Sequence, residues 1–221
     1  MTLIVVLAVA AAVAWYLQDR QRPGAGSSAD ARARHLRTPL VRLADLMGIK
    51  TTQGALATRS EIGADGERRT AARLRVLQSQ GWTVLHDLGL PTGQANLDHL
   101  AISPGGVVVL VDSKLWSSRY TLSVVGGRLR HGTRDVTDRL NGLRHETRVV
   151  ARVLGCPVIP LVSMDGAPID GPQLIVDGIR IVPADDVVQA LRAISRGRTA
   201  TGPHPAERAV RLLHPHGAKR R

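Results

Sequence analysis

The chain has 221 residues, 43% of them hydrophobic, which suffices for one well-cored domain with extensions and excludes wholesale disorder. Aromatics make up 2% with no Phe, so the core is built from Val, Leu, Ile and Ala, and one Cys excludes an intramolecular disulfide or a multi-Cys zinc site. The formal net charge of +12 favours polyanionic partners, nucleic acid first and anionic membrane second.

No charge occurs from Thr2 to Leu17. The run is shorter than the roughly 20 residues of a usual span. It is longer than many signal-peptide cores and lacks a Lys/Arg-bearing n-region. Trp15 and Tyr16 stand at its end, where interfacial aromatics belong, and Arg20 and Arg22 follow, which retains that side in the cytoplasm. Residues 1–18 are therefore read as a hydrophobic helix, a single-pass anchor in the cell membrane with the domain facing the cytoplasm. A cleaved signal peptide with secretion of the rest, and a buried helix, are the alternatives. Residues 19–60 read as a basic linker, rich in Gly, Ser and Ala at "QRPGAGSSADARARH", with a short amphipathic helix at "LVRLADLMGI".

The folded domain is expected over residues 61–195. "GADGERRTAARLRVLQSQG" is a helix pattern ending at Gly81, with Thr70, Leu74 and Leu77 on one stripe. Glu67 lies on the edge of that stripe, where a carboxylate is costly unless something pairs with it. An acid near a helix N-terminus is also ordinary dipole electrostatics and needs no function. "WTVLHDL" is the next strand.

"NLDHLAISPGGVVVLVDSK" reads as two strands around a tight turn at "SPGG". Side chains alternate along a strand, so Asp98, Leu100 and Ile102 share a face, as do Val108, Leu110, Asp112 and Lys114. Asp98 and Asp112 lie seven residues on either side of Gly105, so a symmetric hairpin places them opposite each other. Like charges so placed repel, and a divalent metal ion between them, with Lys114 alongside, is the economical answer. Each Asp alone is ordinarily a solvent-facing strand end. "VVVLV", apolar up to Asp112, reads instead as a strand buried on both faces. Lys114 is one of only three lysines in an Arg-rich chain.

Downstream, "YTLSVVGGRLRHG" suggests a second hairpin and "VTDRLNGLRHETRVVARVLG" a helix. "VIPLVSM" and "QLIVDGIRIV" are further strands, and "ADDVVQALRAI" is a closing helix. This order fits an α/β fold with a central mixed β-sheet flanked by helices. Arg128, Arg130, Arg134, Arg139, Arg144 and Arg148 are candidate phosphate contacts, ordinary solvated surface being the alternative for each. Residues 196–221, rich in Arg, Pro and Gly, read as a basic mobile tail that adds non-specific affinity for nucleic acid.

Asp98, a hairpin, then Asp112-Ser113-Lys114 resembles the PD-(D/E)XK nuclease superfamily. "GADGE" opening a helix, "VLHDLGLP", "NLDHLAISPGGVVVLVDSKLW" and a following helix resemble the nuclease-related domain, NERD, over roughly residues 61–155. The resemblance implies a restriction-endonuclease-like core and metal-dependent hydrolysis of nucleic acid, DNA above all. Glu67 matches the helix acid, Asp98 the first metal-binding acid, Asp112 and Lys114 the D/E-x-K element, and Trp116 the family's Trp after the Lys. Asp112 stands where Glu is frequent, and "SSR" replaces a Gly-rich continuation after Trp116. A polar residue of the following helix often joins such sites; Asn141, Arg144 and His145 are the candidates.

Mg²⁺ or Mn²⁺ would be held by Asp98, Asp112 and the Ser113 carbonyl, all hard oxygen ligands. Lys114 would position or deprotonate the attacking water, or stabilise developing charge, and Glu67 would orient the metal shell or bind a second ion. Trp116, Arg128, Arg130, Arg144 and His145 are the expected nucleic-acid contacts. A non-catalytic nucleic-acid-binding or membrane scaffold domain that retains the fold is the alternative function.

Overall fold

A computed structural model describes residues 24–38, 41, 47, 51–90, 96–200 and 202–215. The apolar segment at residues 1–18 lies outside these, as does most of "LVRLADLMGI". Among the described residues no helix is long and apolar enough to cross a membrane.

The two apolar runs around "SPGG" pair as an antiparallel hairpin, β2 (Asn96–Ile102) and β3 (Val108–Leu115), in the register Ile102–Val108 to His99–Val111. Gly106 at φ +78° turns the chain between them. β1 (Thr83–Gly89) adds antiparallel to β2. On its other side β3 takes β7 (Val158–Asp165) in parallel, and β7 takes β9 (Ile179–Pro183) in parallel. β8 (Leu174–Val176) and β10 (His214–Pro215) close the two edges, giving the order β10-β1-β2-β3-β7-β9-β8. The sheet is thus mixed, and β3 lies at its centre. A separate antiparallel sheet holds β4 (Leu122–Val125), β5 (Arg128–His131) and β6 (Arg134–Asp135).

Helices cover both faces of the large sheet. Numbered along the chain they are α1 (Ser27–Leu36), α2 (Thr52–Gln78), α3 (Asn141–Leu154), α4 (Val187–Ser195) and α5 (Pro205–Leu212). Leu74 and Leu77 of α2 and Val187, Leu191 and Ile194 of α4 share a core with Ala101, Val109 and Val111. On the other face Leu143, Val150 and Leu154 of α3 and Ala209 of α5 share one with Leu100, Ile102, Val108 and Leu110. The alternation read along β2 and β3 therefore sorts side chains between two cores. The Asp112 face is the α3 face.

Four stretches differ from what the sequence leads one to expect. α2 begins at Thr52, capped by Thr51, whose side chain accepts the Gly54 N–H at 3.0 Å, well before "GADGE". Part of the expected linker is helix α1, which packs on α2. Residues 205–215, read as mobile tail, instead form α5 and β10, because Ala209 and Leu213 are buried. "QLIVDGIRIV" is two strands: Asp177 and Gly178 both have positive φ and turn β8 back into β9.

Candidate functional site

The polar residues of the hairpin begin where its main-chain ladder stops. One step beyond the last pair, His99–Val111, Asp98 stands across from Asp112, and alternation puts both on the α3 face. The ladder is finished by a side chain: the Ser113 N–H donates to Asp98 Oδ2 at 2.8 Å. Lys114 Nζ donates to Asp112 Oδ1 at 2.5 Å. Asp112 is only 9% exposed, and its second oxygen, Oδ2, is buried without a hydrogen-bond partner.

Two helices on opposite faces of the sheet each bring one carboxylate to this strand end. Glu67 comes from α2, which meets the end of β3 closely enough that a Cβ on Gly66 would stand 3.2 Å from Leu115 Cβ. Glu146 comes from α3, on the stripe that Leu143 and Val150 mark as buried. Loss of hydration, then repulsion from Asp87, raises Glu67 to about 7, against the hydrogen bond from Gly26. Loss of hydration, then repulsion from Asp112, raises Glu146 to about 7. Asp98 is pushed well above the usual carboxylate range by burial, then by Asp112 and Glu67. Burial alone would lower Lys114; its attraction to Asp112 and Asp98 outweighs that and raises it.

The N-terminus of α1 closes one side. The Gly26 N–H donates to Glu67 Oε2 at 2.9 Å, and the Ser28 N–H donates to Asp87 Oδ2 at 2.9 Å. Carboxylates at a helix N-terminus complement its dipole. Ser27 Oγ and Asn96 Nδ2 also donate to Asp87, which is fully buried at φ +50° in β1. Only glycine fits at 26, where φ is +80° and a Cβ would meet the Ala64 carbonyl oxygen at 2.7 Å.

The opposite face of the same strands is polar and neutral. Ser113 Oγ lies 3.0 Å from His99 Nε2, and His99 Nδ1 lies 2.7 Å from His86 Nδ1. At that distance one imidazole nitrogen donates and the other accepts. Burial lowers both histidines, His99 strongly, so the pair is held neutral. Beside it Thr70 Oγ1 and Ser163 Oγ are 3.3 Å apart. The Ser113 hydroxyl is thus committed away from the carboxylates, leaving only its main chain to serve a metal.

Of the other expected residues, Trp116 follows β3 directly and packs on His131, with the Arg139 guanidinium 5.5 Å from its ring. Arg128 is paired with Asp135, and Arg130 Nη1 donates to the Thr133 carbonyl oxygen at 3.0 Å. Arg144 is tied to Asn141 at 2.7 Å and Asp177 at 2.6 Å, and His145 is exposed. Arg134 and Arg148 are exposed. The α3 residue electrostatically coupled to Asp112 and Lys114 is Glu146, which the sequence reading passed over. Its position on the buried stripe is the signal that finds it, and is the same reasoning that singled out Glu67.

Among the described residues no group of three or more His, Cys, Asp or Glu is arranged to hold a metal ion. What the strand end offers is two carboxylates, one with a free buried oxygen, beside main chain. That set suits a hard cation that completes its shell with water and phosphate oxygens.

A mixed α/β domain with acids and a lysine at the end of its central strand defines a class, and the sequence narrows it further. Residues 62–164 match the family model of the nuclease-related domain, NERD, in agreement with the resemblance carried by the hairpin and its preceding helix. The matched span holds Glu67, Asp98, Asp112, Lys114 and Glu146. No curated protein and no solved structure matches the chain. The family points to nuclease-related chemistry on nucleic acid in general.

Proposed function

We propose that the chain is a metal-dependent nuclease that hydrolyses nucleic-acid phosphodiesters, with DNA the expected substrate. The observation that carries this reading is Asp112. One of its oxygens binds Lys114, and the other is buried with no partner. A buried acceptor left unsatisfied costs about 1–3 kcal/mol, more when charged, and a divalent cation there offsets that cost. Asp98, Asp112 and the Ser113 carbonyl would hold Mg²⁺ or Mn²⁺, which would supply an acidified water and offset negative charge on the phosphate oxygens. Lys114, kept as an ammonium by its neighbours, suits stabilisation of the transition-state charge better than proton abstraction. Glu67 and Glu146, both near 7, can hold or release a proton at neutral pH.

Purified full-length chain should cleave at least one of single-stranded DNA, duplex DNA and RNA with Mg²⁺ or Mn²⁺, and EDTA should stop it. Retained binding with no cleavage of any substrate by either ion would favour the non-catalytic reading. We further infer that residues 1–18 anchor the protein, with its domain at the cytoplasmic side of the cell membrane. Fractionation should find the uncleaved chain in the membrane pellet, its domain protected from external protease. A released chain lacking the segment would point to a signal peptide.

A further inference from the structure

Aromatic side chains are scarce in this chain, with three Trp, two Tyr and no Phe. Two of the five, Trp116 and Tyr120, gather on the loop that leaves β3, two and six residues past Lys114. His131, at the end of β5, stands against both. Its ring centroid is 5.5 Å from that of Trp116, tilted by 43°, and 5.6 Å from that of Tyr120, edge-on at 88°. His131 Nε2 lies 3.0 Å from the Ser117 carbonyl oxygen, and an N–H donated there fixes the imidazole. Gly132, at φ +61°, lets the Tyr120 ring lie close: a Cβ there would stand 3.0 Å from Tyr120 Cδ1. Tyr120 is nevertheless 51% exposed. An aromatic ring fixed in place from one side and open to water is a surface for another flat ring.

The charges nearby say which ring. Asp135 occupies Arg128 and the Thr133 carbonyl occupies part of Arg130, but Arg119 and Arg139 are exposed around the aromatic group. An aromatic surface set among cations fits a base carried on a phosphate chain. We propose that Tyr120, backed by His131 and Gly132, is a stacking subsite for an unpaired base of single-stranded nucleic acid. The inference rests on the nuclease reading above for its ligand class and adds selectivity to it. In a duplex each internal base is covered on both faces by its neighbours. A strand in duplex form therefore has no face to offer Tyr120, whereas a single strand or a frayed end does.

The test measures affinity of the full-length chain for a twelve-nucleotide single strand and for a blunt, loop-free duplex with G·C pairs at its ends, in EDTA so that nothing is cut. Tyr120→Ala should weaken single-strand binding about tenfold, the middle of the range for losing one base–aromatic stack. Duplex binding, dominated by phosphate contacts, should change by less than about twofold. Tyr120→Phe should restore single-strand affinity, which a loss of folding or of the hydroxyl would not allow. Equal losses on both ligands, or no loss on either, overturn the subsite while leaving the nuclease reading standing. A parent chain that neither binds nor cleaves any nucleic acid overturns both.

Discussion

The two faces of the β2–β3 hairpin carry polar groups at the same level and treat them in opposite ways. On the α2 face His86, His99 and Ser113 are joined in one hydrogen-bonded chain, with Thr70 and Ser163 paired beside it, all without net charge. On the α3 face Asp98 and Asp112 face each other, Lys114 neutralises part of the charge, and Asp112 Oδ2 has no partner. Buried polar groups are ordinarily hydrogen-bonded, so the first face needs no further component. The second is incomplete by the same standard. What is left unsatisfied there is a carboxylate oxygen, and the proposed metal site rests on that difference.

The largest effect should come from removing the unpartnered charge. Asp112→Asn should reduce metal-dependent cleavage by at least about a hundredfold, the scale of losing a positioned electrostatic group. It relieves repulsion with Asp98 but also takes the charged partner from Lys114, so the metal-free protein should change little in stability. Calorimetry should show weakened Mg²⁺ or Mn²⁺ binding in this variant. Undiminished cleavage would remove Asp112 from the site. Lys114→Ala should match it in cleavage, about a hundredfold or more, but should retain nucleic-acid affinity. It should also destabilise the fold, since Asp98 and Asp112 then lose their nearest cation. Lys114→Arg should cleave poorly despite keeping the charge, because the guanidinium is larger.

Acidity should separate the faces by sign. Glu67 and Glu146 titrate near 7 in the folded chain against 4.5 for the unperturbed group. Between those values the folded state binds more protons than the unfolded, so stability rises as pH falls through 7. Asp98, also raised, adds to this. His86 and His99 lie below 6.5 in the folded state, so below that pH the unfolded chain binds more protons and stability falls with pH. In EDTA the unfolding temperature should climb from pH 8 to about 6.5, then flatten or turn over as the histidines oppose. Glu146→Gln should remove part of the climb and leave the turnover. Excess Mg²⁺, which favours ionised carboxylates, should flatten the climb. A steady fall in unfolding temperature between pH 8 and 6.5 in EDTA would contradict the raised carboxyl groups assigned to the end of β3.

The hairpin was legible because two independent regularities agree on it. "SPGG" sets the turn, and strict alternation sets the face of Asp98, Asp112 and Lys114. Nothing comparable marks α1 or the first turns of α2. Their buried positions are Ala33, Ala57 and Ala64, and small residues write a weak periodicity even where helices pack closely. Asp87 was hidden for another reason. Its partners, the main chain of Ser28 and the side chains of Ser27 and Asn96, come from distant segments, which spacing cannot reveal. Glu146 was readable in principle. Leu143 and Val150 define its face, but neighbouring Arg144 and His145 are the more conspicuous residue types. The Asp177–Gly178 turn was readable too, as a two-residue hairpin signal inside an apolar run.

The smallest expected effect makes the sharpest use of the comparison. Thr70 sits one helical turn past Glu67 on α2, yet its hydroxyl serves the neutral face, 3.3 Å from Ser163 Oγ. Thr70→Val keeps the shape and removes one hydrogen-bonding group from a position 1% exposed. Ser163, itself fully buried, loses a partner, which should lower stability by about 1 kcal/mol, since the bond was long. For a domain of this size that is roughly 2–4 °C in unfolding temperature. If α2 only carries the neutral network here, cleavage by Thr70→Val should stay within about twofold of the parent, because Glu67 keeps its own bond to the Gly26 N–H. A loss near that of Asp112→Asn would mean that the neutral face positions Glu67 for catalysis, and the two faces would then be one site read from opposite sides.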